Sequence, residues 1–145
     1  MTTIIHHNGQ ISYDSRVTRD NIIHDDNFNK RLSEKGAEFF IAGSTSQSRA
    51  LADAYHRGIF GYVCEDSMTE AIIWHKKKLF IAYFDGDSIE LDEEPITNTF
   101  AIGSGGDFAV MAIKQGSPDA ASAVAAAMKM DIYTGGRIRT FNLKA

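Results

Sequence analysis

Thr2 is the first residue of the chain whose side chain could act as a nucleophile. A threonine hydroxyl reacts only when a base lies beside it, and an N-terminal threonine carries such a base in its own α-amine, with a pKa of about 8. Removal of Met1 would expose that amine, and threonine is small enough for an initiator methionine in front of it to be trimmed. Because many chains begin Met-Thr, a prediction of catalysis depends on the residues that follow.

A threonine nucleophile needs three further kinds of group. A cation lowers the pKa of the hydroxyl and the amine, a carboxylate holds that cation, and backbone N–H groups stabilise the oxyanion. Residues of suitable type occur in the order Asp14, Lys30, Gly43, Ser104, Asp131 and Thr134. Taken singly, each also has an ordinary structural explanation, as a turn residue, a surface charge, a packing glycine or a helix N-cap.

The elements that must position these residues begin with a predicted hairpin. Residues 2–7 and 10–15 have the composition of strands, and Asn8-Gly9 between them suits the positive φ angles of a type I′ turn. Residues 16–36 fit either short strands or an ordered loop. The N-terminus therefore belongs to a sheet, which would hold Thr2 in place.

The rest of the chain predicts antiparallel strands followed by helices, an α+β pattern over a single domain, 1–145. A buried strand at 37–42 leads to a helix that Ser44-Thr45-Ser46 would cap and Gly58 would end. Later strands are predicted at 71–75, 78–84, 88–91, 97–102 and 137–143. Helices are predicted at 106–115 and 120–130, the second with Ser117 as N-cap and Pro118 at its first position, and the acidic run Asp92-Glu93-Glu94-Pro95 is predicted to be a loop.

Composition narrows the class of protein. The net charge of −4 disfavours nonspecific binding of nucleic acid, and the basic clusters at 76–78 and at Arg137 and Arg139 are predicted to be turn or edge charges. Cys64 is the single cysteine, which fits a reducing compartment. No apolar run has the length of a membrane span. We therefore expect a soluble, cytoplasmic protein with neither a nucleic-acid nor a membrane partner.

The order and spacing of these pieces resemble the proteasome β-subunits, and most closely the HslV-type peptidases. The resemblance covers essentially the whole chain, and the run from Ala101 to Gly106 followed by an Ala-rich helix is its most specific part. The matching pieces are Thr2-Thr3-Ile4, Asp14 with Arg16 and Thr18, Lys30, Ala42-Gly43-Ser44, Ala101-Ile102-Gly103-Ser104-Gly105-Gly106 and Asp131-Ile132-Tyr133-Thr134-Gly135-Gly136. The resemblance implies a four-layer αββα N-terminal-nucleophile hydrolase sandwich, here with a shortened helical layer after Gly43, where there is room for one helix and at most a stub in 65–71.

The same resemblance implies a role for each candidate residue. Thr2 would be the nucleophile, Lys30 would lower the pKa at Thr2, and Asp14 would pair with Lys30. The backbone N–H of Gly43 would form the oxyanion hole. The Thr2 amine and a relay water would be oriented by Ser104, Asp131 and Thr134. The expected protein is a threonine-type endopeptidase that needs no cofactor and acts as a subunit of a homo-oligomeric ring or stacked rings, with an ATPase unfoldase as a possible partner.

An extended polypeptide substrate would pair with the backbone at Thr18 and Gly43. The pocket for the residue before the scissile bond would be lined by Val17, Phe28, Leu32, Ile41 and Thr45, and its mostly apolar composition predicts a preference for apolar or uncharged side chains. Core packing is the alternative explanation for these same residues.

Two other functions remain open from the sequence. The chain could be a catalytically silent, proteasome-like subunit that retains Met1, or an N-terminal-nucleophile amidase acting on a small molecule. No metal site is predicted, because His6 and His7 alternate across a strand. His24 with Asp25-Asp26 is a weak candidate in a loop.

Overall fold

The computed structural model describes residues 2–63 and 69–144. The chain divides into two compact units, the first made of Met1–Lys30 and Ile96–Ala145 and the second of Arg31–Pro95. That both units form one domain stays a prediction. Both contain antiparallel strands and helices, so the predicted α+β class is confirmed.

The strands and helices follow in chain order. The strands are β1 Ile4–His7, β2 Gln10–Tyr13, β3 Val17–Arg19, β4 Ile22–Asp25, β5 Arg31–Glu34, β6 Ala37–Gly43, β7 Thr69–His75, β8 Lys78–Phe84, β9 Ile89–Glu94, β10 Phe100–Ile102 and β11 Arg139–Asn142. The helices are α1 Ser48–Arg57, which follows a 3-10 turn at Thr45–Gln47, α2 Gly106–Lys114 and α3 Ala120–Met128.

The first unit is built on an antiparallel sheet with the strand order β10-β1-β2-β11. Asn8 and Gly9 connect β1 to β2 with φ angles of 51° and 77°, so the predicted hairpin turn is confirmed. One face of the sheet packs against α2 and α3 through a cluster that contains Ile5 and Val124 and is otherwise made of buried alanines. Small side chains let these helices lie close to the sheet. Within the sheet, the N-terminal strand β1 is held between β10 and β2.

The predicted start of α3 is wrong. Its N-cap is Asp119, whose carboxylate accepts from the backbone N–H of Ser122 at 2.8 Å, and the Ser122 hydroxyl closes a capping box. Ser117 and Pro118 therefore precede the cap instead of forming it. Serine and aspartate are both good N-caps, and a sequence with several of them close together does not distinguish between them.

The second unit is a five-stranded antiparallel sheet in the order β5-β6-β7-β8-β9. Helix α1 covers one face through a core that includes Phe39, Leu51, Ile73 and Phe84. Gly58 ends α1 with a φ of 68°, as predicted.

Three expectations about this unit need correction. Helix α1 begins at Ser48, and neither Ser44 nor Gln47 makes a side-chain cap. The acidic run is not a loop, because β9 extends to Glu94 and pairs with β8 over its whole length. Of the region 65–71, residues 69–71 belong to β7, and the remainder lies outside the described residues.

The two basic clusters differ in their surroundings. Lys76 and Lys77 form the exposed turn between β7 and β8, as predicted for turn charges. Arg139 lies on the edge strand β11, as predicted for an edge charge, and it also donates hydrogen bonds to the hydroxyl of Ser15 and to the backbone oxygen of Phe28. In the described part of the chain, no helix is long and apolar enough to cross a membrane.

His6 is a buried titratable residue on β1. Its Nδ1 lies 2.8 Å from the backbone oxygen of Asn98, and because a carbonyl oxygen only accepts, Nδ1 carries the proton. Nε2 is buried and has no hydrogen-bond partner among the described residues. Burial lowers the pKa of His6, and the bond to Asn98 only partly opposes this effect.

We expect the free energy of unfolding to fall as the pH drops below about 6.5, the ordinary pKa of histidine. The unfolded chain binds a proton on His6 there, whereas the folded chain resists protonation, so stability present above this pH is lost towards the lower folded pKa. Urea unfolding at two pH values, on either side of this point, measures the effect. His6→Gln should lose less stability on acidification than the wild type.

His24→Gln is the matched control, because His24 is exposed on β4. This variant should keep the pH dependence of the wild type. If His6→Gln showed the same pH dependence of stability as the wild type, His6 would not be the source of that dependence.

Candidate active site

The Asp14 carboxylate is the centre of a buried cluster in the first unit. Asp14 follows β2 directly and is fully buried. Its Oδ1 accepts from the Thr2 hydroxyl at 2.6 Å, from the Thr3 backbone N–H at 3.1 Å and from Lys30 Nζ at 2.7 Å. Its Oδ2 accepts from the backbone N–H groups of Gly135 at 2.9 Å and Arg16 at 3.3 Å.

Lys30 supplies the cation of this cluster. The side chains of Lys30 and Asp14 are only 5% and 0% exposed, so their ion pair lies almost entirely out of water. Burial lowers the pKa of Lys30, while the charge of Asp14 and the hydrogen bond to it oppose that effect. The Thr2 hydroxyl and the Lys30 ammonium donate to the same oxygen of Asp14, so the two groups lie close together.

A second buried carboxylate, Asp131, binds two hydroxyl groups directly and a third through one of them. Its Oδ2 accepts from Ser104 at 2.6 Å and from Thr134 at 2.7 Å. The Thr134 hydroxyl also lies 2.8 Å from the hydroxyl of Thr3. Burial by itself would raise the pKa of Asp131, but the hydrogen bonds from Ser104, Thr134 and the Tyr133 backbone outweigh it and lower that pKa.

Two glycines let the N-terminal residues approach the turn between β10 and α2. Gly103 has a φ of +91°, and a Cβ there would collide with the backbone oxygen of Thr2. A Cβ on Gly105 would collide with the hydroxyl of Thr3, while the backbone N–H of Gly105 donates to the Thr2 oxygen at 3.1 Å. The glycines of this run therefore set the position of both threonines.

The structure brings Thr2, Asp14 and Lys30 into direct contact. Ser104, Asp131 and Thr134 also form one group, but the hydrogen bonds that the structure describes for this group lead to Thr3. Thr3 is thus a residue that the sequence reasoning missed, although its place beside Thr2 in the matching run was a usable signal.

The candidate residues for substrate binding and for the oxyanion hole are divided between the two units. In the first unit, Val17 and Thr18 are half-buried on β3, and Phe28 is exposed. In the second unit, Gly43 is an exposed residue at the end of β6, and Thr45 is exposed in the 3-10 turn. Ile41 belongs to the core under α1, and Leu32 packs against that core. For Ile41 and Leu32, core packing accounts for the observed contacts.

The described segments, 2–63 and 69–144, include the weak metal candidate near His24. No group of three or more His, Cys, Asp or Glu side chains there could hold a metal ion. Both carboxylate oxygens of Asp26, from the weak candidate near His24, accept hydrogen bonds from Arg16.

Solved structures with the same fold cover nearly the whole chain. HslV from Trypanosoma brucei is 16% identical with a TM-score of 0.74, and the alignment covers 99% of this chain and 99% of that chain. Thiobacillus denitrificans BPH is 19% identical with a TM-score of 0.70, covering 99% and 98%. The same protein in complex with epoxomicin is 18% identical with a TM-score of 0.69, covering 99% of each chain.

No protein-family model and no curated protein matches the chain at the level of sequence. The structural neighbours nevertheless place the chain in the fold class of HslV and the proteasome-type peptidases. The N-terminal-nucleophile hydrolase fold predicted from the resemblance is therefore the fold of this protein.

Lys30→Met should destabilise the protein by about 3–5 kcal/mol, because it leaves Asp14 buried without its cation. Adding Asp14→Asn to Lys30→Met should recover part of the loss, since the unpaired charge is then removed as well. Chemical denaturation of the single and double variants measures both effects. Lys78→Met is the control, since its 3.9 Å pair with Glu93 is exposed and should contribute less than about 1 kcal/mol. Equal losses of stability in Lys30→Met and Lys78→Met would contradict a buried ion pair between Lys30 and Asp14.

Gly105→Ala should destabilise the protein by about 1–3 kcal/mol, because the added methyl group has no space beside Thr3. Gly61→Ala provides the comparison, since a Cβ there would meet its nearest neighbour, Ser88, at an ordinary 3.4 Å. Thermal or urea unfolding of both variants checks the expectation. A Gly105→Ala protein as stable as Gly61→Ala would mean that the turn can move away from Thr3.

Proposed function

We propose that the protein is a threonine-type endopeptidase that cleaves unfolded or extended polypeptides with Thr2 as its nucleophile. The observation that best supports this function is the shared contact at Asp14, where the Thr2 hydroxyl and the Lys30 ammonium bind one buried carboxylate oxygen. A hydroxyl held beside a desolvated cation is the arrangement that a threonine nucleophile requires. The fold shared with HslV adds support of a more general kind.

In the proposed reaction, removal of Met1 frees the α-amine of Thr2, which then accepts the proton of the Thr2 hydroxyl, through a water. Met1 itself lies outside the described residues. Lys30 stabilises the negative charge that develops on the hydroxyl oxygen, and Asp14 keeps Lys30 in position. Thr2 attacks the scissile carbonyl, the C–N bond breaks as the leaving amine takes the proton from the α-amine of Thr2, and an ester with Thr2 forms. Water then hydrolyses this acyl-enzyme, which releases the carboxylic acid and restores the Thr2 hydroxyl.

Other residues bind the substrate or orient the reacting groups. The Gly43 backbone N–H stabilises the oxyanion, and an extended substrate pairs with the backbone at Thr18 and Gly43. In this proposal the orientation of the freed amine and of the relay water falls to Ser104, Asp131 and Thr134, whose hydrogen-bonded group reaches Thr3, the neighbour of the nucleophile. For the pocket before the scissile bond we propose the residues that the resemblance implies, Val17, Phe28, Leu32, Ile41 and Thr45, of which Leu32 and Ile41 also make core contacts.

The proposal extends to assembly and location. We expect a homo-oligomeric ring or stacked rings in the cytoplasm, with the active sites enclosed and an ATPase unfoldase as a possible partner. The similarity to HslV over 99% of the chain supports an assembly of this kind.

Thr2→Ala should reduce peptide cleavage at least about a thousandfold, because it removes the nucleophile and retains an N-terminal residue small enough for methionine removal. Thr2→Ser, which keeps a hydroxyl, should retain measurable activity. The assay uses fluorogenic peptides with apolar side chains before the scissile bond. In parallel, intact mass should show loss of Met1, and epoxomicin should add to the wild type but not to Thr2→Ala.

The alternative functions give different results. Protein purified from its native cell that keeps Met1, forms an oligomer and cleaves no peptide would be a catalytically silent subunit. A processed N-terminus with hydrolysis of small amides but of no peptide would indicate an amidase. Either outcome would rule out the endopeptidase.

A further inference from the structure

Arg16 and Asp26 form an ion pair that the proposed reaction does not use. Arg16 Nε donates to Asp26 Oδ1 at 2.8 Å, and Nη2 donates to Asp26 Oδ2 at 3.2 Å. The third nitrogen, Nη1, donates to the backbone oxygen of Ile132 at 2.9 Å. The guanidinium therefore connects Asp26 to the loop 131–136 through a planar set of three donors, which a lysine could not reproduce.

The loop is shaped around this pair. A Cβ on Gly135 would collide with the guanidinium of Arg16, and a Cβ on Gly136, which has a φ of +75°, would collide with the backbone oxygen of Asp26. That same oxygen accepts from the Arg137 backbone N–H at 3.3 Å. Because Gly135 and Gly136 have no Cβ, the backbone of the loop lies closer to Arg16 and Asp26 than residues with side chains would permit.

The loop in turn holds the carboxylate at the centre of the site. The Gly135 backbone N–H donates to Asp14 Oδ2 at 2.9 Å, and the Arg16 backbone N–H donates to the same atom at 3.3 Å. With Oδ2 held in this way, Oδ1 faces Thr2 and Lys30. A loop that moved away would remove the Gly135 donor and leave the Arg16 backbone N–H as the one donor that the described residues supply to Oδ2.

We infer that Arg16 and Asp26 act as a clasp that positions the loop 131–136 and, through Gly135, sets the orientation of the Asp14 carboxylate for the reaction at Thr2. The inference rests on the proposed function for its catalytic consequence. Neither side chain touches the reacting atoms, so both are positioning residues. The two side chains are 20% and 43% exposed, and ion pairs with such exposure contribute little to global stability. The clasp should therefore affect geometry more than stability.

The test compares Asp26→Ala and Arg16→Lys with the wild type and with Asp20→Asn. Asp20 is exposed on the turn between β3 and β4 with a φ of 56°, a conformation that asparagine also adopts, so Asp20→Asn should leave every measurement unchanged. Hydrogen exchange measured by mass spectrometry reports on the backbone at 131–137, with the backbone of β1 as the internal reference. Peptide cleavage by the processed protein gives kcat and KM.

Asp26→Ala should raise exchange in the 131–137 segment at least about tenfold without raising exchange in β1. It should lower kcat by about tenfold to a hundredfold while KM changes by less than about twofold, because a misplaced carboxylate weakens transition-state stabilisation more than substrate binding. Arg16→Lys should behave like Asp26→Ala, since it keeps the charge but cannot bridge Asp26 and Ile132 at once.

Three outcomes would overturn the inference. The first is unchanged exchange at 131–137 in both variants, the second is wild-type kcat in Arg16→Lys, and the third is a rise in exchange that includes β1, which would indicate general loss of structure. Wild-type protein that is processed but cleaves no peptide would instead overturn the proposed function. The exchange comparison would then decide by itself whether the clasp holds the loop.

Discussion

The ion pair between Asp14 and Lys30 is the interaction on which the rest of the first unit depends. Burying two charges costs several kcal/mol per ion unless each finds partners, and Asp14 therefore collects donors on both carboxylate oxygens. Those donors come from distant parts of the chain: the N-terminus, the segment before β5 and the loop before β11. Satisfying one buried carboxylate thus fixes three segments relative to one another, and it places the Thr2 hydroxyl beside a cation.

Adjacent threonines use two different carboxylates. The Thr2 hydroxyl binds Asp14, whereas the Thr3 hydroxyl reaches Thr134 and so connects to Asp131. The N-terminus is thereby held on two sides by hydrogen bonds, and Gly103 and Gly105 provide the space that both threonines need. Residues near the end of a chain would otherwise sample many positions, because terminal residues are among the least restrained in most domains.

The elements that sequence reasoning predicted well are those with strong local chemistry. Asn8-Gly9 strongly favours a tight hairpin turn, and Gly58 ends α1. In both places the residues readily adopt the positive φ angles that the backbone needs. The errors occurred where several residues were equally suitable, as with Ser117 and Asp119 before α3. The charges of the acidic segment of β9 predict a loop because they suggest contact with solvent, yet pairing with β8 supplies the backbone partners of this segment. Such pairing depends on a neighbouring strand and leaves no local signal.

The candidate site residues, the N-terminal hairpin and the α+β class could all be predicted from the amino-acid sequence. The hairpin and the class follow from turn preferences and patterning, whereas the set of candidate residues depended on the resemblance to the proteasome β-subunits. Tertiary structure alone decided which atoms meet. It brought Thr2 and Lys30 to one oxygen of Asp14 and directed the Asp131 group to Thr3. It also linked Arg16, which pairs with Asp26, to the backbone oxygen of Ile132. These contacts join residues as many as 131 positions apart. No local pattern encodes such pairings, because they result from packing the whole unit around a carboxylate that must not be buried alone.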